Sequence, residues 1–143
     1  MTRREFSAGG VAVRRMQGRW WLAAIEPNGR PGTLALPKGL VEAGEDTRQT
    51  AVREVREESG LETVVIGDLG SVRYAYTWDG ERVFKIVTFH LLRPCGGRLG
   101  AIAPDMRLEV SAARWLPLDE HGRLSYRGER EVAVRAGAML AEE

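Results

Sequence analysis

The sequence predicts an α/β fold in which a mixed β-sheet packs between helices. Segments with the two-residue alternation of apolar side chains that is typical of strands lie both before and after one well-capped helix. A second amphipathic helix is predicted at the C-terminal end. The chain has 143 residues, of which 43% are hydrophobic, and no interval has the composition of a linker or a repeat. We therefore expect a single domain over residues 1–143.

The first part of the chain is predicted to form strands joined by turns. Gln17 and Gly18 separate the first two strands, and a loop rich in glycine and proline follows the second strand. A short third strand is predicted directly after this loop. The three predicted strands cover residues 5–15, 19–27 and 32–39.

A helix is predicted from Asp46 to Ser59 because both of its ends carry capping signals. Asp46 is suited to accept hydrogen bonds from the first turn, and Gln49 lies three residues later to complete a capping box. Gly60 is suited to the left-handed conformation that ends a helix.

The second half of the chain is predicted to contain three strands and a C-terminal helix. The first two of these strands are joined at Asp79, Gly80 and Glu81, which is a strong hairpin signal. The strands cover residues 63–78, 82–94 and 112–118, and the helix covers residues 128–143. The apolar contacts of this helix are expected from Val132, Val134, Met139 and Leu140.

Three glutamates in the central helix are placed against its stability. At about 100° per residue, Glu54, Glu57 and Glu58 lie together on a side that borders the apolar one. Like charges three or four residues apart repel, and carboxylates in the last turn oppose the helix dipole. One interpretation is a solvated face balanced by Arg53 and Arg56. The other, which explains the converging penalties better, is that the three carboxylates bind a hard divalent cation such as Mg²⁺.

The stretch from Gly39 to Leu61 resembles the Nudix box, G-x5-E-x7-R-E-U-x-E-E-x-G-U, in which U is an apolar residue. The match holds at every defined position: Gly39, Glu45, Arg53, Glu54, Val55, Glu57, Glu58, Gly60 and Leu61. The resemblance implies the Nudix-type α/β/α sandwich and hydrolysis of a phosphoanhydride bond. Because the box covers only a small part of the chain, it indicates the superfamily rather than the substrate.

The resemblance also implies roles for the residues of the box. Residues that match Glu57 and Glu58 are metal ligands in such families, and the residue that matches Glu54 is a ligand or the general base. The backbone carbonyl of the residue before the box glycine, here Lys38, also reaches a metal. The expected cofactor is Mg²⁺, for which Mn²⁺ is a substitute.

Two further acidic positions follow from the resemblance. The residue that matches Glu45 usually pairs with the box arginine, Arg53, and we expect this pair to be architectural as much as catalytic. Glu109 precedes a strand that ends in a W-h-P-like pattern, as in several Nudix hydrolases, and is a candidate metal ligand or base. The alternatives are Asp105 or a solvated loop carboxylate. Glu54 and Glu109 therefore remain two candidates for the general base.

Segments outside the box are similar to bacterial diadenosine polyphosphate hydrolases. They are "LPKG", "SVRYAYTWDGERVFKIVTFHLL" and "SYRGEREV". This similarity implies that Lys38 and Lys85, the only lysines in the chain, contact phosphates with help from Arg82. The candidates for stacking on a base are Tyr74, Tyr76 and Tyr126, although core packing would suit these tyrosines equally well.

Two functional hypotheses follow. The first is a Mg²⁺-dependent hydrolase of a dinucleoside polyphosphate such as diadenosine tetraphosphate, with a nucleoside triphosphate, including oxidised purine forms, as the alternative substrate. The second is a non-catalytic module that binds a nucleotide. Binding modules of this fold tend to lose acidic residues from the box, so the complete box favours the enzyme.

Composition narrows the set of partners. A net charge of +1 gives no general argument for nucleic-acid or membrane binding, so we expect neither a membrane nor a stable nucleic-acid partner. The expected partner is a small-molecule nucleotide, bound by a monomer or homodimer. The single cysteine, Cys95, excludes an intramolecular disulfide framework. The N-terminal residues lack the apolar run of a secretory signal. We therefore expect a cytoplasmic protein.

Overall fold

The computed structural model describes residues 2–142, which form six strands and two long helices. The strands are β1 (Thr2–Met16), β2 (Arg19–Pro27), β3 (Lys38–Leu40), β4 (Leu61–Trp78), β5 (Glu81–Gly97) and β6 (Val110–Pro117). The helices are α1 (Thr47–Ser59) and α2 (Arg127–Ala141), and short 3₁₀ helices cover Pro104–Met106 and Leu118–Arg123. The predicted helices and the long strands are confirmed.

The sheet is mixed, as the sequence predicts. The strand order is β4-β5-β1-β2-β6, and β3 pairs with β1 beside this path. The pair β1–β5 is parallel from Thr2 to Ala12, whereas the other pairs are antiparallel. Two residues with positive φ form the turn of each antiparallel hairpin, as type I′ turns require. They are Gln17 (54°) and Gly18 (75°) between β1 and β2, and Asp79 (50°) and Gly80 (73°) between β4 and β5.

Helices cover both faces of the sheet because side chains alternate along each strand. In β1 and β5, odd-numbered residues such as Val11 and Phe89 pack with the apolar side of α2. Even-numbered residues of the same two strands, such as Ala12 and Leu92, pack with Val55 of α1. The result is the α/β/α sandwich that the resemblance implied.

The strand predicted at 32–39 is wrong for most of its length, because only Lys38–Leu40 forms a strand. The backbone N–H of Leu36 donates to the Glu129 carboxylate at 2.7 Å instead of to a neighbouring strand. Pro37 has no N–H to donate. A distant side chain thus satisfies this segment and ties it to the beginning of α2.

The C-terminal helix differs from its prediction at one contact. Val132 and Leu140 are buried as expected, but Val134 is exposed because it lies on the opposite side of α2. Met1 and Glu143, which the domain prediction included, lie outside the described residues. Neither long helix within residues 2–142 has the length and apolar character that crossing a bilayer requires.

Candidate functional site

The helix α1 begins and ends at the residues that the sequence indicated. The Asp46 side chain accepts a hydrogen bond from the Gln49 N–H at 2.8 Å, and the Gln49 side chain accepts one from the Asp46 N–H at 2.9 Å. Gly60 adopts φ 89°, and its N–H donates to the Arg56 carbonyl. These caps fix where α1 begins and ends. The side of the helix that carries Glu54, Glu57 and Glu58, which we call the acidic edge, lies opposite β3.

Arg53 is the centre of an ion-pair network on this edge. Its Nε and Nη2 donate to the two carboxylate oxygens of Glu45 at 2.7 and 2.9 Å. Its Nη1 donates to Glu54 at 2.7 Å and to Glu57 at 3.2 Å, and its Nη2 also reaches the Leu40 carbonyl at 3.1 Å. The hydrogen bonds from Arg53 lower the pKa of Glu45 to about 2. The predicted pairing of Glu45 with Arg53 is confirmed as a contact, and it holds the loop before α1 onto the helix.

Glu54 lies against the backbone of Gly39. Any Cβ at position 39 would come within 3.0 Å of the Glu54 carboxylate, so only glycine fits there without a shift. Glu54 is 7% exposed and Glu58 is 5% exposed. The first glycine of the box therefore makes room for a buried carboxylate.

The acidic edge carries more negative charge than its neighbours neutralise. Burial raises the pKa of the Glu58 carboxyl well above its usual range, and the adjacent Glu54 carboxyl raises it further, while the charge of Lys38 opposes the shift. Burial also raises the pKa of Glu57, with Glu54 as the next cause. Arg53 divides its donors among Glu45, Glu54, Glu57 and the Leu40 carbonyl, and within residues 2–142 it makes no hydrogen bond to Glu58.

The donors on this edge suit a hard divalent cation, although they are not arranged around one. Glu54, Glu57 and Glu58 offer only oxygen atoms, which is the ligand type that Mg²⁺ prefers. Within residues 2–142, no group of three or more acidic, histidine or cysteine side chains is arranged to hold a metal ion. Arg53 holds one oxygen of Glu54 and one of Glu57, so a metal bound by all three glutamates would share these two carboxylates with the arginine or displace it.

The loop before β6 packs against α1, and the charge of Asp105 in this loop acts on Glu57. The Ala103 N–H donates to the Glu57 carbonyl at 3.1 Å, so this loop packs against the last turn of α1. The charge of Asp105 contributes to the raised pKa of Glu57, whereas Glu109 is not among the groups that shift it. Glu109 is exposed, and its backbone carbonyl accepts a hydrogen bond from the N–H of Asn28 at 2.7 Å.

A cavity of about 360 Å³ lies between the sheet, α2 and the segment before the box. It brings together most of the residues that the sequence suggested for substrate binding. Arg82 is not among them, because it lies near the tip of the β4–β5 hairpin with its guanidinium 5.7 Å from the Phe84 ring centroid. The lining consists of Arg30, Lys38, Tyr74, Ala75, Tyr76, Lys85, Tyr126 and Glu129.

The tyrosines of the cavity differ in what they contact. Tyr126 accepts a hydrogen bond from Arg30 at 2.7 Å, and its ring centroid lies 5.3 Å from the Lys38 ammonium. Tyr76 donates to Glu5 at 2.9 Å. The Tyr74 hydroxyl is buried and has no hydrogen-bond partner within residues 2–142. Burial, with the charge of Glu129 as the second cause, raises the pKa of Tyr74 to about 12.

Glu129 is the site residue that sequence reasoning missed. It is completely buried in the first turn of α2, where one carboxylate oxygen accepts the Leu36 N–H at 2.7 Å. The other oxygen lies 2.7 Å from the Lys38 ammonium, which is its only charged partner among residues 2–142. In the sequence, Glu129 is an ordinary acidic residue near the start of a helix, so no local pattern indicated this role.

Comparison with known proteins decides the family. The model of the NUDIX domain matches residues 3–136. The chain belongs to the NUDIX family. One relative, "Putative mutator protein MutT4" of Mycobacterium tuberculosis, is 39% identical over 142 residues, which are 95% of this chain and 56% of the relative. This chain therefore spans little more than half the length of that protein.

Two further matches involve proteins named for dinucleotide hydrolysis. The bis(5′-nucleosyl)-tetraphosphatase (asymmetrical) of Rattus norvegicus is 31% identical over 103 residues, which are 71% of this chain and 67% of that protein. The crystal structure of a C. elegans Ap4A hydrolase binary complex has a TM-score of 0.70 at 22% identity, covering 97% of this chain and 99% of that one. This structural likeness shows the fold.

The chain therefore carries a NUDIX domain over most of its length, and its fold is that of solved Nudix hydrolases. Nudix hydrolases generally use divalent metal ions and act on nucleotides. The predicted superfamily, fold class and enzyme class are therefore confirmed.

Proposed function

We propose that this Nudix enzyme hydrolyses a dinucleoside polyphosphate such as diadenosine tetraphosphate, with Mg²⁺ as its cofactor. The observation that carries this proposal is the cavity beside the acidic edge, in which Lys38, Lys85 and Arg30 accompany three tyrosines. Cations can bind a chain of phosphates, and tyrosine rings can stack on bases. The relative from Rattus norvegicus supports the same substrate class through its printed name.

In this proposal, Glu54, Glu57 and Glu58 hold the metal, with the Lys38 carbonyl as a further ligand. When bound, Mg²⁺ neutralises phosphate charge and promotes attack by water; Mn²⁺ would substitute for it. Glu54 and Glu58 are buried beside too few protein cations to offset their charges, so a metal ion would complete the site. Arg53 holds Glu45, so the loop before α1 stays in place when the carboxylates change partners.

Lys38 and Lys85 have different tasks because their surroundings differ. Lys38 is already paired with the buried Glu129, which fixes its ammonium at one point of the cavity. Lys85 forms no ion pair within residues 2–142 and is free to follow the phosphate chain. We assign Lys38 to the phosphate nearest the acidic edge and Lys85 to a more distant phosphate.

We assign to Glu54 the role of the general base, which accepts a proton from the attacking water. Glu54 is buried on the acidic edge, next to Gly39 and Glu58, where a reacting phosphate would lie. Glu109 is exposed and separate from the groups that act on Glu57, which makes it the weaker candidate. Asp105 is a candidate additional ligand through its position beside the last turn of α1.

A nucleoside triphosphate, including oxidised purine forms, is the second candidate substrate. The unpartnered Tyr74 hydroxyl at the cavity provides a hydrogen-bond donor or acceptor that would suit the edge of one base.

A substrate panel tests the proposal. Diadenosine tetraphosphate, nucleoside triphosphates and oxidised purine triphosphates are incubated with the enzyme and Mg²⁺, and products are separated by chromatography. The proposal predicts the highest kcat/KM for the dinucleoside polyphosphate; a higher value for a triphosphate selects the second candidate. Binding without turnover of any compound would indicate a non-catalytic module. Reaction in ¹⁸O-water identifies the phosphorus that is attacked.

A further inference from the structure

Part of one sheet face extends beyond the helix that covers it. Even-numbered residues of β5 lie on the side of α1, and α1 begins over His90, whose Nε2 lies 2.8 Å from the Thr47 hydroxyl. The residues of β5 that precede His90 therefore continue past the end of the helix. Strand pairing gathers six side chains on this extension, which we call the open face: Arg4, Phe6, Arg73, Arg82, Phe84 and Ile86.

The open face combines exposed aromatic rings with a concave surface. Phe6 is 56% exposed and Phe84 is 40% exposed, although both are apolar. All of its residues except Arg82 line a cavity of about 500 Å³. The Arg82 guanidinium lies over the Phe84 ring at 5.7 Å from the centroid. Solvent-exposed phenylalanines in a hollow of this size indicate a binding surface.

The charge of the open face has one sign. Arg4, Arg73 and Arg82 form no ion pair within residues 2–142. The other residues of β1, β4 and β5 on this face are threonine, serine and alanine. No carboxylate of these strands therefore lies among the arginines. The pair Arg3–Glu5 belongs to the opposite face of β1. The ligand of this surface should therefore be an anion.

Aromatic rings and unpaired arginines side by side restrict the class of ligand. A second copy of this chain is disfavoured, because a two-fold contact through this face would bring arginines against arginines. An acidic peptide would pair with the arginines but has no flat groups to place on the rings. We propose that the open face binds a single-stranded polynucleotide, with its phosphates on the arginines and its bases stacked on Phe6 and Phe84.

This surface adjoins the nucleotide cavity, because Tyr74 and Lys85 line both hollows, but its arginines and phenylalanines lie on the other face of the strands. The Lys85 side chain is directed to the opposite side of β5 from Phe84, because successive residues of a strand alternate. The proposal therefore does not depend on the substrate of the enzyme. A polynucleotide on the open face would be a ligand in addition to the nucleotide that is hydrolysed.

The test measures binding of fluorescein-labelled oligouridylate of about ten nucleotides by fluorescence anisotropy. The oligonucleotide carries a 5′-hydroxyl and no metal is added, so it contains no phosphoanhydride for the catalytic site. Phe84→Ala and Arg73→Ala are each expected to weaken binding at least about fivefold. Arg73→Ala should also lower the slope of log Kd against log salt by about 0.7.

Matched controls come from the same strand pair. Trp78→Ala removes an exposed aromatic ring from the opposite face of the hairpin, and Arg93→Ala removes an exposed arginine at the other end of β5. Neither change should alter the affinity. Phe84→Leu keeps an apolar side chain and removes only the ring, so it separates loss of stacking from loss of stability, which thermal melting monitors in each variant.

Four results would overturn the proposal. The first is no binding by the wild-type protein, and the second is unchanged affinity in Phe84→Leu and Arg73→Ala. The third is loss of binding only in Lys85→Met, which would locate the oligonucleotide in the nucleotide cavity. The fourth is a protein dimer that Phe84→Ala disrupts in sedimentation without any oligonucleotide binding. Activity on small nucleotides is measured in parallel, so failure of the proposed enzyme function would appear separately.

Discussion

Glu58 and Glu129 are both buried glutamates near Lys38, but their environments are opposite. Glu129 lies in the first turn of α2, where the helix dipole favours a carboxylate, and it contacts the Leu36 N–H and the Lys38 ammonium at 2.7 Å each. Glu58 lies in the last turn of α1, where the dipole disfavours it, beside the carboxylate of Glu54. The protein thus provides close partners for one buried carboxylate, and we propose that an external cation neutralises the other.

This difference separates a positioning residue from proposed metal ligands. Glu129 already has an N–H donor and a cation as partners, and it holds Lys38 and the segment before β3 against α2. The acidic edge of α1 is incomplete in the protein alone, because burial and mutual repulsion both raise the pKa of Glu58. Neutralising Glu58 and neutralising Glu129 should therefore have opposite effects on stability.

The largest effect is expected from the acidic edge. Glu57→Gln or Glu58→Gln should lower kcat/KM by about a thousandfold, because loss of a metal ligand removes several kcal/mol of charge stabilisation in the transition state. Steady-state kinetics at saturating Mg²⁺ measure this loss. Near-native turnover in either variant would show that the residue is not a metal ligand.

The next effect concerns Glu54, the carboxylate that Glu58 repels. Glu54→Gln should lower kcat by about a hundredfold and remove the rise of the pH–rate profile that reports the general base. Glu109→Gln is the comparison variant and should keep that rise. If the two outcomes are exchanged, Glu109 is the base.

Glu129→Gln tests the other side of the comparison. It should lower the free energy of unfolding by about 2 kcal/mol, because Lys38 loses its ion-pair partner; the 24% exposure of the Lys38 side chain keeps the cost below that of a fully buried ion pair. Glu131→Gln on the same helix is the control, since its ion pair with Arg127 is exposed and should contribute little. Equal losses in urea unfolding would refute the special role of Glu129.

The smallest effect is expected at Lys85. Lys85→Met should lower kcat/KM for dinucleoside tetraphosphate by about tenfold and change a shorter diphosphate-linked substrate much less, because a longer chain has more charge to bind. Arg93→Met, at an exposed site on the same strand, is the control. Lys38→Met is less informative, because it also leaves Glu129 unpaired. An unchanged preference between long and short substrates would remove Lys85 from the phosphate site.

The sequence predicted the features that depend on neighbouring residues. The caps of α1, the turns at Gly18 and Gly80, and the acidic edge all follow from spacings of a few residues, and the box match supplied the family. Glu129 could not be predicted in this way, because its partner Leu36 lies 93 positions earlier in the chain. The failed strand before Lys38 has a related cause, since the Leu36 N–H donates to the distant Glu129 side chain, and Ala35 pairs with Ile25 only as an isolated bridge.

The loop acids show a similar limit. Sequence similarity placed Glu109 before a strand, but the packing of residues 98–103 against α1 decides which loop carboxylate acts on Glu57. The open face was also hidden from sequence reasoning, because its arginines and phenylalanines come from β1 and from the β4–β5 hairpin, which lie far apart in the chain. Their combination depends on strand register, which local patterns do not specify.

The most direct test of the central claim is a Mg²⁺ titration of thermal stability in the wild type and in Glu58→Gln. Without metal, Glu58→Gln should melt at or above the temperature of the wild type, because the substitution removes repulsion with Glu54. Saturating Mg²⁺ should then raise the melting temperature of the wild type by several degrees and change that of the variant much less. If Mg²⁺ stabilises both proteins equally, or if metal-free Glu58→Gln is clearly less stable than the wild type, the acidic edge of α1 is not a site kept for a divalent cation.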